Sequence, residues 1–166
     1  MPRVAFDFRF TVRLPAPARA AYRWATDYAP DDPARMGQDG HRRIAWVADR
    51  TALLTDRIVQ DGKPVTKVRL VRLSTDGRSW TNTHLAGPNR HSQFWYRIVP
   101  RGPNASALQF VGLQVEPSRR ALTPRELVKR ARAVRREDVA TWRRLARVMA
   151  RELGRSRPAG RSRRRR

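Results

Sequence analysis

The chain has 166 residues, enough for one domain with a hydrophobic core, and it contains no cysteine. Disulfides and thiolate chemistry are therefore excluded, and the composition predicts a protein of the reducing cytoplasm. The formal net charge is +23, which favours contact with polyanions. No apolar run approaches the ~20 residues of a membrane-spanning helix, and the N-terminus lacks the apolar core of a signal peptide.

The N-terminal part of the sequence predicts one strand followed by two short helices. Apolar and polar residues alternate over Val4–Leu14, which is typical of a strand with one buried face. A helix is predicted from Pro17 to about Asp27, because proline is favoured in the first turn. Asp32-Pro33 then resembles the cap and first position of a second short helix, which Gly37 ends.

The middle of the sequence predicts about six antiparallel strands joined by tight turns. Asp-Gly pairs at 61–62 and 76–77 are hairpin signals, and Gly-Pro-Asn at 87–89 and 102–104 mark later turns. The predicted strands are a run around Ile44 and Trp46, then Leu53–Val59, Val65–Leu73, Ser79–Leu85, Gln93–Val99 and Ala107–Val115.

One long helix is predicted over Thr123–Gly154. Thr123, Pro124 and Glu126 form a capping-box pattern at its start, and Gly154 suits its end. At 100° per residue, one side of this helix is apolar and the opposite side is basic. The apolar side holds Leu127, Val128, Ala131, Val134, Val139, Trp142, Leu145, Ala146, Met149 and Leu153. The basic side holds Arg125, Lys129, Arg136, Arg143, Arg147 and Arg151. We expect the apolar side to pack against the predicted strands.

Residues 155–166, RSRPAGRSRRRR, form a low-complexity tail with seven arginines and no acidic residue. We expect this tail to be disordered, which leaves residues 1–154 as the folded domain. The tail suits weak, nonspecific contact with nucleic acid or an anionic membrane, although it lacks aromatic residues for stacking on bases. The bias towards arginine is also typical of a GC-rich genome, so the charge has two interpretations.

The opening of the chain resembles a known superfamily. The segments that carry the resemblance are FTVRLPAP at 10–17, AYRW at 21–24 and TDY at 26–28. With the order of elements that follows, they resemble the START-like, or SRPBCC, superfamily, which includes birch-pollen-allergen-like and polyketide cyclase/dehydrase domains. The resemblance covers residues 4 to about 153.

This resemblance implies an α+β helix-grip fold. In it, a curved antiparallel sheet of about seven strands wraps around a long C-terminal helix, with two short helices after the first strand. A cavity between sheet and helix would hold an apolar or amphipathic small molecule. The superfamily has no universal catalytic residues, so none is assigned to this chain.

Two charged residues lie within the apolar stripe of the long helix. Arg135 and Asp138 are three residues apart, and burying either charge alone would be costly, so we expect them to pair. The functional interpretation is a polar anchor in which Arg135 binds a ligand oxygen and Asp138 orients Arg135. The structural interpretation is an ion pair at the edge of the stripe.

The remaining candidate ligand-binding residues are aromatic. Ligand sites are mostly apolar with a few placed polar groups, and these side chains could line one, although simple core packing is an alternative for each. His84 shares a strand face with Trp80 and Asn82 and is a candidate general acid or base. With Arg135 and Asp138, the predicted ligand-binding set comprises Trp46, Trp80, His84, Phe94, Tyr96 and Trp142.

The sequence offers no signal for a metal site or a cofactor. His41, His84 and His91 are the only histidines, and none has a partner at metal-ligand spacing. Motifs of hydrolases, P-loop proteins and dinucleotide-binding proteins are also missing.

Three functions therefore stay open. The first is a non-catalytic carrier or sensor of a lipid, quinone or polyketide-like molecule. The second is an enzyme of the cyclase, aromatase or dehydrase kind that uses the same cavity. The third is association with nucleic acid or an anionic membrane through the basic surface and tail.

Overall fold

Seven strands and three helices make up residues 2–155, the part of the chain that the computed structural model describes. The chain begins with β1 (Arg3–Leu14) and two short helices, α1 (Ala18–Ala25) and α2 (Asp32–Arg35). The strands that follow are β2 (Gly40–Ala48), β3 (Thr51–Gln60), β4 (Lys63–Leu73), β5 (Ser79–Ala86), β6 (Gln93–Pro100) and β7 (Ser106–Pro117). The chain then forms α3 (Pro124–Arg155).

All seven strands form one antiparallel sheet in the order β1-β7-β6-β5-β4-β3-β2. Consecutive strands from β2 to β7 are therefore hairpin neighbours, while β1 crosses over to pair with β7 along its whole length. The sheet is open, so β1 and β2 are its two edge strands. This is the predicted helix-grip arrangement, with a curved sheet around the long C-terminal helix.

Alternation along the strands creates the core. In β1 every second side chain from Val4 to Leu14 is buried, as the period of two predicted. These side chains meet α3 through Val134, Leu145 and Met149, the fully or nearly fully buried residues of its apolar side. The concave face of the sheet and the apolar side of α3 thus form one hydrophobic core.

The start of α3 confirms the predicted capping box. The backbone N–H of Thr123 donates to the Glu126 carboxylate at 2.9 Å, and the Glu126 N–H donates to Thr123 Oγ1 at 3.3 Å. The second short helix differs slightly from the prediction, because Asp31 and not Asp32 precedes its first residue, and neither provides a side-chain cap.

At its C-terminal end, α3 extends one residue beyond the predicted Gly154. Arg155 is still the last residue of α3, and the predicted disorder of the remaining tail lies outside the described residues. Within residues 2–155, no helix is long and apolar enough to cross a membrane.

Candidate functional site

A cavity of about 110 Å³ lies between the concave face of the sheet and α3. The two short helices close one side of it, and strands β2, β4, β5 and β6 provide its floor. Its lining residues are Trp24, Ala25, Tyr28, Asp32, Met36, Arg42, Arg69, Trp80, Asn82, Tyr96, Thr141, Trp142 and Leu145. Ligand pockets usually have ~300–1,000 Å³, whereas an apolar cavity of ~150 Å³ holds one benzene ring. This cavity therefore has the scale of a single ring.

Aromatic side chains form one wall of the cavity. Trp80 on β5 and Tyr96 on β6 are cross-strand partners, and their rings stack in parallel at a centroid distance of 4.8 Å. Trp142 of α3 lies over both rings, at 6.5 Å from Trp80 and 5.9 Å from Tyr96. The sheet register thus places these two rings face to face as a stacked pair, and Trp142 of α3 covers the pair.

The opposite side of the cavity is charged. Arg42 on β2 donates from Nε to Asp56 Oδ1 on β3 at 2.6 Å, and from Nη1 to the carboxylate of Asp32. Arg69 on β4 donates from Nη2 to the other oxygen of Asp56. Three adjacent strands thus contribute one residue each to a network that is almost fully buried. We call Arg42, Asp56, Arg69 and Asp32 the charged network.

The two carboxylates of the charged network respond differently to their surroundings. Burial alone would raise the pKa of Asp56, but hydrogen bonds and charges from Arg42 and Arg69 outweigh it, so that pKa lies below its usual value. Burial raises the pKa of Asp32, and the charge of Arg42 offsets this only in part. Asp56 is therefore firmly ionised between two guanidinium groups.

Three polar atoms at the cavity have no hydrogen-bond partner among the described residues. They are the hydroxyl of Tyr28, Nε of Arg69 and Oδ1 of Asn82, and each is buried. Buried polar groups nearly always find a partner, because leaving one unsatisfied costs ~1–3 kcal/mol. Burial raises the pKa of the Tyr28 phenol, which keeps it protonated and able to donate. The cavity thus presents two donors and one acceptor to an occupant.

His84 is buried next to this site but does not line the cavity. Its ring packs edge-on against Phe94 at 5.0 Å, and neither ring nitrogen has a partner within residues 2–155. Burial, with the charges of Arg69 and Lys67, lowers the pKa of His84 to about 3. The imidazole is therefore neutral at physiological pH, which does not suit a general acid in the resting protein.

Asp138 lies on α3 above the same part of the sheet. Burial, with the nearby charge of Glu137, raises its pKa to about 7, and Lys67 on β4 opposes the rise. Its charge in turn raises the pKa of Tyr96, after burial the largest effect on that phenol. Asp138 is thus a carboxyl group that gains and loses a proton near neutral pH, close to the cavity wall.

The expected pair between Arg135 and Asp138 is not formed. Arg135 is exposed and donates from Nε to the backbone carbonyl of Arg9 on β1 at 2.9 Å, whereas Asp138 is near enough to Lys67 for that charge to act on its pKa. Three residues along a helix separate side chains by about 60° around its axis, so Arg135 reaches edge strand β1 while Asp138 is directed towards β4. Arg135 therefore lies outside the cavity.

The predicted site residues fall into three groups. Trp80, Tyr96 and Trp142 line the cavity. Phe94 is the cross-strand partner of Asn82, His84 packs against Phe94, and the charge of Asp138 acts on Tyr96, so these three lie close to the lining residues. Trp46 lies elsewhere, on edge strand β2, with 51% of its surface exposed. Trp46 and Arg42 are four residues apart and so lie on the same face of β2, but Trp46 lies near the exposed end of the strand.

The charged network was missed in the sequence, although a signal was present. In β3 the buried residues Ala52, Leu54 and Ile58 have the same parity as Asp56. In β4 Arg69 has the same parity as buried Val71. A charged residue on the buried face of a strand is costly unless it is paired. Charged residues at such positions therefore predict a buried ion-pair network.

Comparisons with known proteins address the fold. No protein-family model matches the sequence, and neither does the sequence of any curated protein. Among solved structures, the Zhui aromatase/cyclase from Streptomyces sp. R1128 is similar, with a TM-score of 0.74 and 18% identity. The match covers 95% of this chain and 99% of that one. The chain has the helix-grip fold of START-like proteins.

Two further structures show the same fold. A START superfamily protein from Mycobacterium smegmatis has a TM-score of 0.66 at 17% identity, covering 90% of this chain and 97% of that one. Norcoclaurine synthase from Thalictrum flavum, in complex with dopamine and hydroxybenzaldehyde, has a TM-score of 0.66 at 12% identity. That match covers 94% of this helix-grip chain and 90% of the synthase.

Proposed function

We propose that this protein binds an amphipathic small molecule with a flat ring, of quinone or polyketide-like type, in the cavity between sheet and α3. The observation that carries the proposal is the combination of a stacked aromatic wall with partnerless polar atoms. Trp80, Tyr96 and Trp142 line the cavity with aromatic rings, while Tyr28, Arg69 and Asn82 carry polar atoms that lack partners among the described residues. A ring that carries oxygens satisfies both sides of the cavity.

The shape of the cavity favours a ring over an alkyl chain. Its volume of about 110 Å³ is small, and the rings of Trp80, Tyr96 and Trp142 form one wall. A ligand ring packs against aromatic side chains with a gain beyond area burial, which an alkyl chain does not have. A larger ligand would require Trp142 to move outwards with its part of α3.

The polar atoms without partners indicate which substituents the ring of the ligand carries. The Tyr28 hydroxyl and Arg69 Nε donate hydrogen bonds, so they suit carbonyl or enolate oxygens. Asn82 Oδ1 accepts, so it suits a hydroxyl group. A ring with neighbouring carbonyl and hydroxyl groups therefore fits the three positions best.

Binding is tested with 2,5-dihydroxy-1,4-benzoquinone, with benzene and decanoic acid for comparison, through quenching of tryptophan fluorescence. We expect saturable binding of the hydroxyquinone, weaker binding of benzene and none of decanoic acid. The Asn82→Leu variant removes the acceptor at nearly constant volume and should weaken hydroxyquinone binding about tenfold while leaving benzene unchanged. Thr83→Val, on the same strand with the opposite parity, is the matched control.

Two results would contradict this proposal. One is a lack of saturable hydroxyquinone binding by the native protein. The other is an equal loss for both ring ligands in Asn82→Leu. Native mass spectrometry of the purified protein, followed by extraction of bound molecules, provides an independent test of the ligand class.

A second candidate is an enzyme that moves a proton next to a carbonyl group, as cyclases and dehydrases do. It is supported by Asp138, whose pKa of about 7 suits a general acid or base at neutral pH, close to Tyr96 of the cavity wall. One similar structure is that of an aromatase/cyclase, which fits this reaction class.

This enzymatic candidate is tested with a simple diketone. The wild type should accelerate exchange of the central protons of 2,4-pentanedione in D₂O, followed by NMR, with a rate that depends on a group of pKa near 7. Asp138→Asn should remove the acceleration, and Asp7→Asn, at an exposed position of β1, should retain it. Exchange no faster than in buffer would leave the protein as a binder.

A further inference from the structure

The outward side of α3 carries a straight stripe of positive charge. At 100° per residue, its members fall within an arc of about 100° around the helix axis. They are all exposed, and we call them the basic stripe: Arg125, Lys129, Arg132, Arg136, Arg143, Arg147 and Arg151. The other residues on this arc, from Ala133 to Gly154, are alanines and one glycine. The stripe therefore contains neither a carboxylate nor a large apolar side chain.

The charges of the stripe are not used in ion pairs within the described part of the fold. Within residues 2–155, its members form no ion pair, whereas Arg42 and Arg130 bind carboxylates. Like charges four residues apart on a helix, such as Arg143 and Arg147, repel each other and destabilise it. An anion lying along the stripe would relieve this repulsion, so the stripe is better suited to binding than to folding.

The length of the stripe matches a regular polyanion. Arg125 and Arg151 are separated by about 39 Å at 1.5 Å per residue. One turn of double-helical DNA has a similar length, about 34–36 Å. Guanidinium groups bind phosphate through two parallel hydrogen bonds, and six of the seven members are arginines.

Other polyanionic surfaces fit the stripe less well. A helix that binds a membrane surface inserts apolar side chains, yet Val128, the large exposed apolar residue of α3, lies outside the arc. Binding of single strands relies on aromatic side chains for stacking, and Trp142 faces the cavity instead. We propose that the basic stripe binds the phosphate backbone of double-stranded nucleic acid without reading its sequence.

The test is fluorescence anisotropy with a 30-base-pair duplex of arbitrary sequence, with the full chain, from 50 to 250 mM NaCl. Two triple variants remove the same charge from different faces. The stripe variant is Arg143→Gln/Arg147→Gln/Arg151→Gln, and the control, on exposed sheet positions, is Arg43→Gln/Arg57→Gln/Arg72→Gln. Glutamine is a good helix former and removes like-charge repulsion, so we expect the stripe variant to fold, as circular dichroism will show.

We expect the logarithm of the wild-type binding constant to fall linearly with the logarithm of the salt concentration, because bound phosphates release counterions. The stripe variant should bind at least tenfold more weakly, with a salt slope smaller by about 2–3, since each phosphate contact contributes about 0.9. The control should stay within about threefold of wild type, because its net charge alone changes.

Three results would overturn the proposal. Equal losses in both variants would show attraction by net charge without a binding surface. An unaffected stripe variant, with loss only on deletion of residues 156–166, would assign binding to the tail. Binding to phosphatidylserine vesicles that depends on the stripe, without binding to the duplex, would identify a membrane surface as the partner.

Discussion

Arg42 and Asp56 face each other across strands β2 and β3, with Arg42 Nε 2.6 Å from Asp56 Oδ1. Both side chains are almost fully buried, and they are the centre of the charged network. Breaking a buried ion pair by removing one partner leaves the other charge uncompensated, which is far more costly than losing a surface pair.

The first prediction concerns Arg42→Met. Asp56 would keep only Arg69, and Asp32 would lose its buried partner, so we expect the free energy of unfolding to fall by about 3 kcal/mol. Urea denaturation followed by circular dichroism measures the change. Arg57→Gln, at an exposed position of β3 next to Asp56, should stay within about 0.5 kcal/mol of wild type. Similar values for both would show that the network contributes little.

The pH dependence of Arg42→Met gives a second readout. Because the pKa of Asp56 is lowered in the folded state, its contribution to stability is present above the ordinary aspartate value of about 3.9. This contribution is lost as the pH falls through the lower folded value. The acid-induced loss of stability should therefore be shallower in Arg42→Met than in wild type.

The second prediction concerns Asp138→Asn. The folded-state pKa of Asp138 is raised to about 7, so the folded protein holds this proton more tightly than the unfolded chain. The associated stability is fully present below about pH 4 and is lost as the pH rises through about 7. Asp138→Asn should remove this decline and be more stable than wild type at pH 8. Carboxyl NMR titration of Asp138 checks the midpoint, and a midpoint near 4 would contradict the assignment.

The third prediction compares two tryptophans. Trp142 packs against Trp80 and Tyr96 but borders the cavity, so Trp142→Ala should cost about 2–3 kcal/mol, less than for a fully packed core residue. Trp95 is 43% exposed on the opposite face of the sheet, and Trp95→Ala should cost less than 1 kcal/mol. Thermal and urea unfolding measure both variants. Equal costs would place Trp142 outside the core.

The fourth prediction concerns Gly112 on β7. A methyl group there would lie 2.7 Å from the ring of Phe110 and 3.0 Å from that of Phe94, which are packed against each other in the core. Gly112→Ala should therefore destabilise the protein by about 1–3 kcal/mol through overpacking. Gly154, near the end of α3, has open space around it, so Gly154→Ala should be neutral or slightly stabilising. Urea denaturation of both variants separates the effect of steric overlap at Gly112 from the general effect of replacing a glycine by alanine.

Much of the fold could be predicted because its signals are local. The alternation over Val4–Leu14, the Asp-Gly turns and the capping box at Thr123 each depend on neighbouring residues, and the structure confirms the resulting order of elements. The resemblance of the opening segment then predicted how the elements assemble. The contacts of the charged side chains were harder to predict, because their partners lie on other strands.

The charged residues show where prediction from the sequence fails. Arg42, Asp56 and Arg69 are distant in sequence, and only the register of β2, β3 and β4 brings them together. Arg135 and Asp138 are neighbours in sequence, yet one reaches the edge strand β1 and the other lies near Lys67. Predicting the first contacts would have required the register of the strands. Predicting the second would have required the direction of each side chain around the helix axis.

The contact between Arg135 and the carbonyl of Arg9 also bears on how the molecules behave at high concentration. An open sheet exposes unpaired N–H and C=O groups along its edges, and these invite a strand from a neighbouring molecule. On β1, Arg135 takes up one of these carbonyl groups. On β2, the irregularity between Trp46 and Ala48 interrupts the ladder. Each edge thus carries one feature that disfavours pairing with a strand of another copy, and on β1 this feature is the side chain that was expected to bind a ligand.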